Sequence, residues 1–196
     1  MAKVITISRE YGAGGGTIGE AVANRLGMEY LDKAIILKTA GEAQVNVESV
    51  FKMDEMVPMN FGFAQSLFDF YNKPLNEKLF AAQSEVIKRF GEHGNCIIVG
   101  RNANSILREY DDSLHVFICG NINFRLKRMM EKEMYKGVSE AKMTDLINTV
   151  DKRRKKYCEY YTNTKFGEAK NYDICLDSSR LGIEKCVDII CELASK

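Results

Sequence analysis

KVITISREYGAGGGTIGEAVANRLG, residues 3–27, is the stretch whose reading decides the fold. An apolar, β-branched run (Val4, Ile5, Ile7) leads into Gly12, Gly14, Gly15 and Gly16, after which Ile18, Val22 and Leu26 recur at four-residue spacing. That order predicts strand, glycine turn, helix. A backbone that curls its N–H groups around an anion must visit φ > 0 and keep Cβ atoms out of the contact, which glycine allows. The following helix adds its free N-terminal N–H groups and the positive end of its dipole. Together these features predict an anion site.

The phosphate-loop pattern G-x-x-x-x-G-K-[ST] is not met. With Thr17–Gly27 laid on the helix after such a loop, Gly14 takes the last loop glycine and Gly15 the lysine. Gly16 then stands where the magnesium-binding hydroxyl belongs, and Arg9 where the first glycine belongs. The cradle survives and its cation is missing. A tight strand-to-helix turn with no ligand would carry the same glycines, so the stretch by itself leaves both readings open.

The chain has 196 residues, 45% of them hydrophobic, enough for one domain with a sheet covered on both faces. Charge is balanced, 28 Lys+Arg against 27 Asp+Glu, which argues against a general nucleic-acid or membrane-surface binder. Six cysteines (Cys96, Cys119, Cys158, Cys175, Cys186, Cys191) form no C-x-x-C pair, and several sit in apolar runs as small buried hydrophobes. Reduced thiols, MAK leading straight into the first strand and the lack of a membrane-length apolar run give a cytoplasmic expectation.

Further along, Met28–Asp32 reads as a short strand ending on an acid, followed by helices over 33–43 and 47–56. Val57–Tyr71 is rich in Phe and Met without clear period, suiting a packed helix, a flap or a dimer contact. A long helix is predicted over 72–93, strands over 96–100, 114–120 and 172–176, and a short helix over 104–109. Helices are predicted over 121–136, from Ser139 to Lys156 or Tyr161, and over 181–194. Alternating buried strands and helices point to a parallel three-layer α/β fold whose ligands bind at the carboxyl ends of the strands. Those ends carry Arg9 with the glycines, Asp32, Arg101, Gly120 and Asp177.

The segments ISREYGAGGGTIG, LDKAII, NCIIVGRNANSIL, LHVFICG and the tail DKRRKKYCEYYTNTKFGEAKNYDICLDSSRLGIEKCVDII resemble the cytidylate kinase-like family of P-loop proteins over almost the whole chain. The resemblance implies a P-loop NTPase-like fold: a five-stranded parallel sheet, helices on both faces, an acceptor-side insertion over about 33–93 and a helical lid over about 121–165. It also implies transfer of the terminal phosphoryl group of ATP to CMP, dCMP or a related small acceptor, with Mg2+. A nucleotide-binding protein of the same fold without turnover, or a kinase for a non-nucleotide molecule, are the alternatives. Phosphoryl transfer mainly needs two anions held in line and cations over the developing charge, which arginine supplies in a two-pronged geometry.

Residue by residue, the resemblance sets the ATP phosphates against Gly12, Ala13, Gly14, Gly15, Gly16 and Thr17. Thr17 is then the nearest hydroxyl for Mg2+, with Ser8 or water as alternatives. Arg9 could supply the missing cation from the other end of the loop, or pair with Glu10 or Glu20. Arg101 follows its strand as in the Gly-Arg-Asp motif of cytidylate kinases and is expected at the acceptor. Asn104 stands where family members often carry Asp, exchanging an acceptor-only group for one that donates and accepts. Asp32 is expected at a ribose or a phosphate-binding arginine, or as a helix cap. Asp151 and Arg154 match an Asp-x-x-Arg pair that holds the acceptor, with Arg153 a lid candidate. Arg125 and Arg128 are expected to face ATP phosphates. A solvated charge run is the plain alternative for these lid residues. Tyr157, Tyr160 and Tyr161 are expected to pack the lid, and His93 and His115 to take no part in chemistry. The implied partner is a small nucleotide acceptor, with no nucleic acid or membrane, for a monomer or homodimer.

Overall fold

The computed structural model describes residues 2–32 and 73–195. The helices expected over 33–43 and 47–56, and the aromatic segment 57–71, lie outside the described residues.

Five strands form one all-parallel sheet: β1 (Val4–Arg9), β2 (Glu29–Leu31), β3 (Cys96–Val99), β4 (Ser113–Cys119) and β5 (Ile174–Asp177), in the order β2-β3-β1-β4-β5. β1 is the middle strand, with Ile7 opposite Val99 on one side and Val116 on the other. The helices are α1 (Gly15–Leu26), α2 (Lys73–His93), α3 (Ala103–Ile106), α4 (Ile122–Met130), α5 (Glu140–Thr162), α6 (Ser178–Leu181) and α7 (Ile183–Ala194).

Side chains alternate across a strand, and β1 divides its own between two cores. Ile5 and Ile7 join Ile97, Val99, Val116 and Ile118 under α1 and α7, where Ile18, Val22, Val187 and Ile190 are fully buried. Val4 joins Leu31, Cys96 and Ile98 on the other face, under Val86 and Ile87 of α2 and Leu107 just past α3. On that second face β1 also carries two buried hydroxyls, Thr6 and Ser8. A third, smaller core of Met129, Met143 and Ile147 is built between α4 and α5.

Three elements differ from the sequence expectation in instructive ways. α4 stops at Met130 rather than continuing to 136, and a single 3-10 turn over Glu133–Tyr135 follows, which turns Tyr135 toward Tyr11. The last helix is broken at Gly182, whose φ of 78° and ψ of 163° suit glycine alone. α5 starts where Ser139 accepts a capping hydrogen bond from Lys142 N at 3.4 Å, and it runs on to Thr162.

Candidate functional site

Crossovers to either side of the sheet diverge at β1, the place where open α/β sheets bind ligands beyond their carboxyl ends. The chain leaves β1 through Glu10–Gly14 and enters α1 at Gly15. Only two glycines of the run are left-handed, Gly12 at φ 82° and Gly14 at φ 88°. Gly15 and Gly16 already belong to the helix, so the need for positive φ stops at the helix cap. The loop is held from the far side of the sheet. Ser178 Oγ lies 2.7 Å from Ala13 O and 2.9 Å from Cys119 O, and Glu10 accepts from Gly120 N at 3.1 Å.

Tyr11 fastens this loop to the α4–α5 pair. Its backbone N–H donates to Asp151 Oδ1 at 2.7 Å, and its carbonyl accepts from Arg125 Nη1 at 3.2 Å. Its hydroxyl lies 2.6 Å from Tyr135 Oη, and the Arg154 guanidinium sits 5.4 Å from its ring centroid. Burial, together with the Tyr135 contact, pushes the Tyr11 phenol well above its ordinary pKa, so it stays protonated and available for hydrogen bonding. The sequence reading missed this hub, although an aromatic residue set among loop glycines was its signal.

Several expected cations converge on the loop. Arg128 extends from α4 over the first turn of α1, its Nη2 donating to Thr17 Oγ1 at 3.4 Å. Arg154 donates to the Arg9 carbonyl at 2.7 Å. Its pKa is lowered to about 9, first by burial and then by the Arg9 charge, with Asp151, Tyr11 and Asp32 opposing. Two guanidinium groups held together in a partly buried place favour an anionic ligand, whose charge would offset their repulsion. Asp32 lies at the end of β2 close enough to act on Arg154 and Tyr30. Arg101 stands in a run of three left-handed residues, Gly100 at φ 84°, Arg101 at 60° and Asn102 at 55°. Non-glycine residues held there store strain, which marks functional turns. Arg153 is half-buried on α5 beside Arg154.

Three expected contacts are redirected inward. Arg125 is buried, its Nη1 2.5 Å from Asp151 Oδ2 and its Nε 3.7 Å from Glu10 Oε2, so it braces the loop. Asp151 has both oxygens engaged, one by Arg125 and one by Tyr11 N. Asn104 is buried, accepting from Ser8 Oγ at 3.2 Å and donating to Asn171 O at 3.4 Å, which takes its amide away from an acceptor base. That bond uses the Ser8 proton and leaves its oxygen lone pairs. The reason is shared: these polar groups lie on buried faces, where an unpaired group is costly, and Arg125 Nε is the atom among them left without a hydrogen bond. His115 is likewise a satisfied core residue, with Nδ1 2.8 Å from Thr6 Oγ1 and Nε2 3.0 Å from Ser113 Oγ.

The site fits phosphate better than it fits a metal. A Cβ at Gly12 would come within 3.0 Å of Met129 Cγ, and one at Gly14 within 2.5 Å of Ile183 Cδ1, so packing and φ together keep the loop backbone bare. Thr17 offers an exposed hydroxyl, but Arg128 already approaches it. Among the described residues no group of three or more His, Cys, Asp or Glu could hold an ion. Magnesium held mainly through nucleotide phosphates and water needs no such group.

The profile of the cytidylate kinase-like family matches residues 4–180. The chain belongs to that family. Among solved structures, this cytidylate kinase-like chain is similar to an uncharacterized protein from Eubacterium ventriosum, 23% identical over 98% of each chain, with a TM-score of 0.74. It shares its fold with a shikimate kinase from Bacteroides thetaiotaomicron, 14% identical over 98% of each chain at a TM-score of 0.58. The same holds for a gluconokinase from Sinorhizobium meliloti, 17% identical over 98% of this chain and 93% of the other at 0.55. No curated protein matches the chain. The fold is thus that of the P-loop kinases, and the family is kinase-like. Among the described residues no helix is long and apolar enough to cross a membrane.

Proposed function

We propose that this protein is an ATP-dependent phosphotransferase that moves the γ-phosphoryl group to a small acceptor, with CMP or dCMP the first to test. The observation that carries the reading is the gathering of Arg9, Arg128 and Arg154, from three separate elements, around the bare turn between β1 and α1. Bound ATP with Mg2+ supplies the phosphoryl group and a divalent charge. The protein's own part is to hold and orient. Amides of Gly14, Gly15, Gly16 and Thr17 face the donor phosphates at the positive end of α1, and Arg128 covers them from α4. Arg154 and Arg101 receive the acceptor's anionic or polar group, with Asp32 acting on Arg154. Because Asn104 is turned inward, discrimination among bases falls to other residues, and this loosens the link to cytosine. No strong general base is needed for a phosphate acceptor, consistent with a buried, internally bonded His115.

Steady ADP release with CMP or dCMP, and not with UMP, AMP, shikimate or simple sugars, is the result expected. Release with a sugar or shikimate instead would move the acceptor class while keeping the reaction. The glycine at position 15 favours one rival, a nucleotide-binding protein without turnover. Calorimetric ATP binding with no ADP formed against any acceptor would establish that rival.

A further inference from the structure

Gly15 stands where a phosphate loop carries its lysine, and its surroundings explain the loss. It is the first residue of α1 and is not left-handed, so its backbone does not ask for glycine. What excludes a side chain there is Arg9. A Cβ on Gly15 would lie 2.6 Å from Arg9 Cβ, 2.8 Å from Cγ and 3.5 Å from Cδ. The first contact is with Cβ, which the β1 backbone fixes and no rotamer change can move aside. Gly100 marks the other end of the same arginine, although its φ of 84° calls for glycine by itself and the atoms a Cβ would meet are the movable tip of the side chain. A Cβ there would overlap Arg9 Nη1, with Cζ at 2.9 Å and Nη2 at 3.3 Å. The stem of Arg9 therefore fills the lysine's place, and its guanidinium crosses to the end of β3 beside Arg101.

We infer that the cation of this phosphate loop has been relocated, with Arg9 acting from the strand end of the loop and Gly15 left bare to let it pass. The chemical half of the inference rests on the phosphotransferase reading; the steric half does not. The relocation changes what the charge can do. A lysine at the helix start approaches the donor phosphates from the helix side as a point charge. Arg9 lies between the donor cradle and the turn that carries Arg101, so its forked donors can contact oxygens of both partners as the phosphoryl group passes. Arg154, bonded to the Arg9 carbonyl, fixes the strand end from which it departs.

The test is a set of substitutions at these two positions, each read by thermal unfolding and by calorimetric ATP affinity, with turnover on Mg2+, ATP and CMP alongside. Gly15→Ala should lower the unfolding midpoint in the natural chain and raise it in the Arg9→Gly background, because alanine is the better helix former once the clash is gone. Equal shifts in both backgrounds would overturn the steric half. Arg9→Gly should lower turnover by about a hundred- to a thousandfold, the size of losing one preorganised charge-stabilising donor. It should also weaken ATP binding. Arg9→Gly combined with Gly15→Lys should recover most of both losses. Unchanged turnover and affinity in Arg9→Gly would overturn the chemical half. A natural chain that binds ATP but releases no ADP removes the phosphotransferase reading, and Arg9→Gly is then judged on ATP affinity alone. A natural chain that binds no ATP overturns the chemical half together with that reading, while the unfolding data still decide the steric half.

Discussion

Gly16 and Gly19 stand three residues apart on α1, and adding one methyl group to each should have opposite effects. A Cβ at Gly16 would meet only Tyr30 Oη at 3.5 Å, an ordinary contact. Gly16→Ala should therefore stabilise by about 0.5–1 kcal/mol, by removing glycine's freedom in the unfolded chain. A Cβ at Gly19 would lie 2.9 Å from Val99 Cγ2, 3.2 Å from Tyr30 Cε2 and 3.3 Å from Ile7 Cδ1. Gly19→Ala should push α1 off the sheet and destabilise by about 1–3 kcal/mol. Thermal unfolding of the pair decides it, since two shifts of the same sign contradict the packing described. Tyr11 offers a second test. Tyr11→Phe keeps the ring under Arg154 and loses the hydroxyl contact, at a cost of about 1 kcal/mol. Tyr135→Phe should cost the same, and the double variant no more than either, in a double-mutant cycle.

At the scale of elements, a buried ion pair, Arg125 with Asp151, joins α4 to α5 at the point where both hold the Tyr11 backbone. Asp151→Asn leaves the Arg125 cation in place with its close partner neutral, and should cost about 3 kcal/mol. Amide exchange across residues 122–162 should accelerate while the sheet stays protected. A loss below about 1 kcal/mol would mean that Glu10, 3.7 Å from Arg125 Nε, takes over the charge. The elements themselves were legible in the sequence. CIIV and the apolar run of β4 are strands because nothing in them tolerates water, and Ser139 announces its helix by capping it. The ends of α4 and α7 were not, because each is set by a distant partner. Tyr135 is drawn to Tyr11, 124 positions away, and the break at Gly182 places Ile183 against Gly14. Local periodicity carries no record of such contacts. The internal partners of Arg125, Asp151 and Asn104 were illegible for the same reason: residue type announces charge or hydrogen bonding but not which way the group faces.

For the molecule as a whole, His115 makes stability depend on pH. Ser113 Oγ is 2.6 Å from Tyr110 O, to which it donates, so it must accept from His115 Nε2, leaving Nδ1 to accept from Thr6. Both bonds suit the neutral ring. Burial lowers the His115 pKa below 6.5, helped by Arg108 and opposed by Asp173 and a backbone contact. A depressed value means that the unfolded chain binds the proton first. The stabilisation is then complete above about pH 6.5 and is lost as pH falls below it. Unfolding midpoints measured from pH 7.5 down to 5.5 should decline, and His115→Gln should remove part of that slope; an unaltered slope would place the titration elsewhere. The architecture was readable from strand order and apolar runs, because a three-layer sheet declares itself by what it buries. The polar layer of Thr6, Ser8, Asn104 and His115 was not, since it depends on strand register.

Ser178 carries one last consequence. Its hydroxyl bridges the carbonyls of Ala13 and Cys119, joining a segment made early in translation to one made late. A nascent chain halted anywhere before this serine emerges from the ribosome holds its glycine turn without that final tie, so the competent shape is a late event of synthesis. Premature termination should therefore yield products that lack both this tie and the packing of α1 on α7.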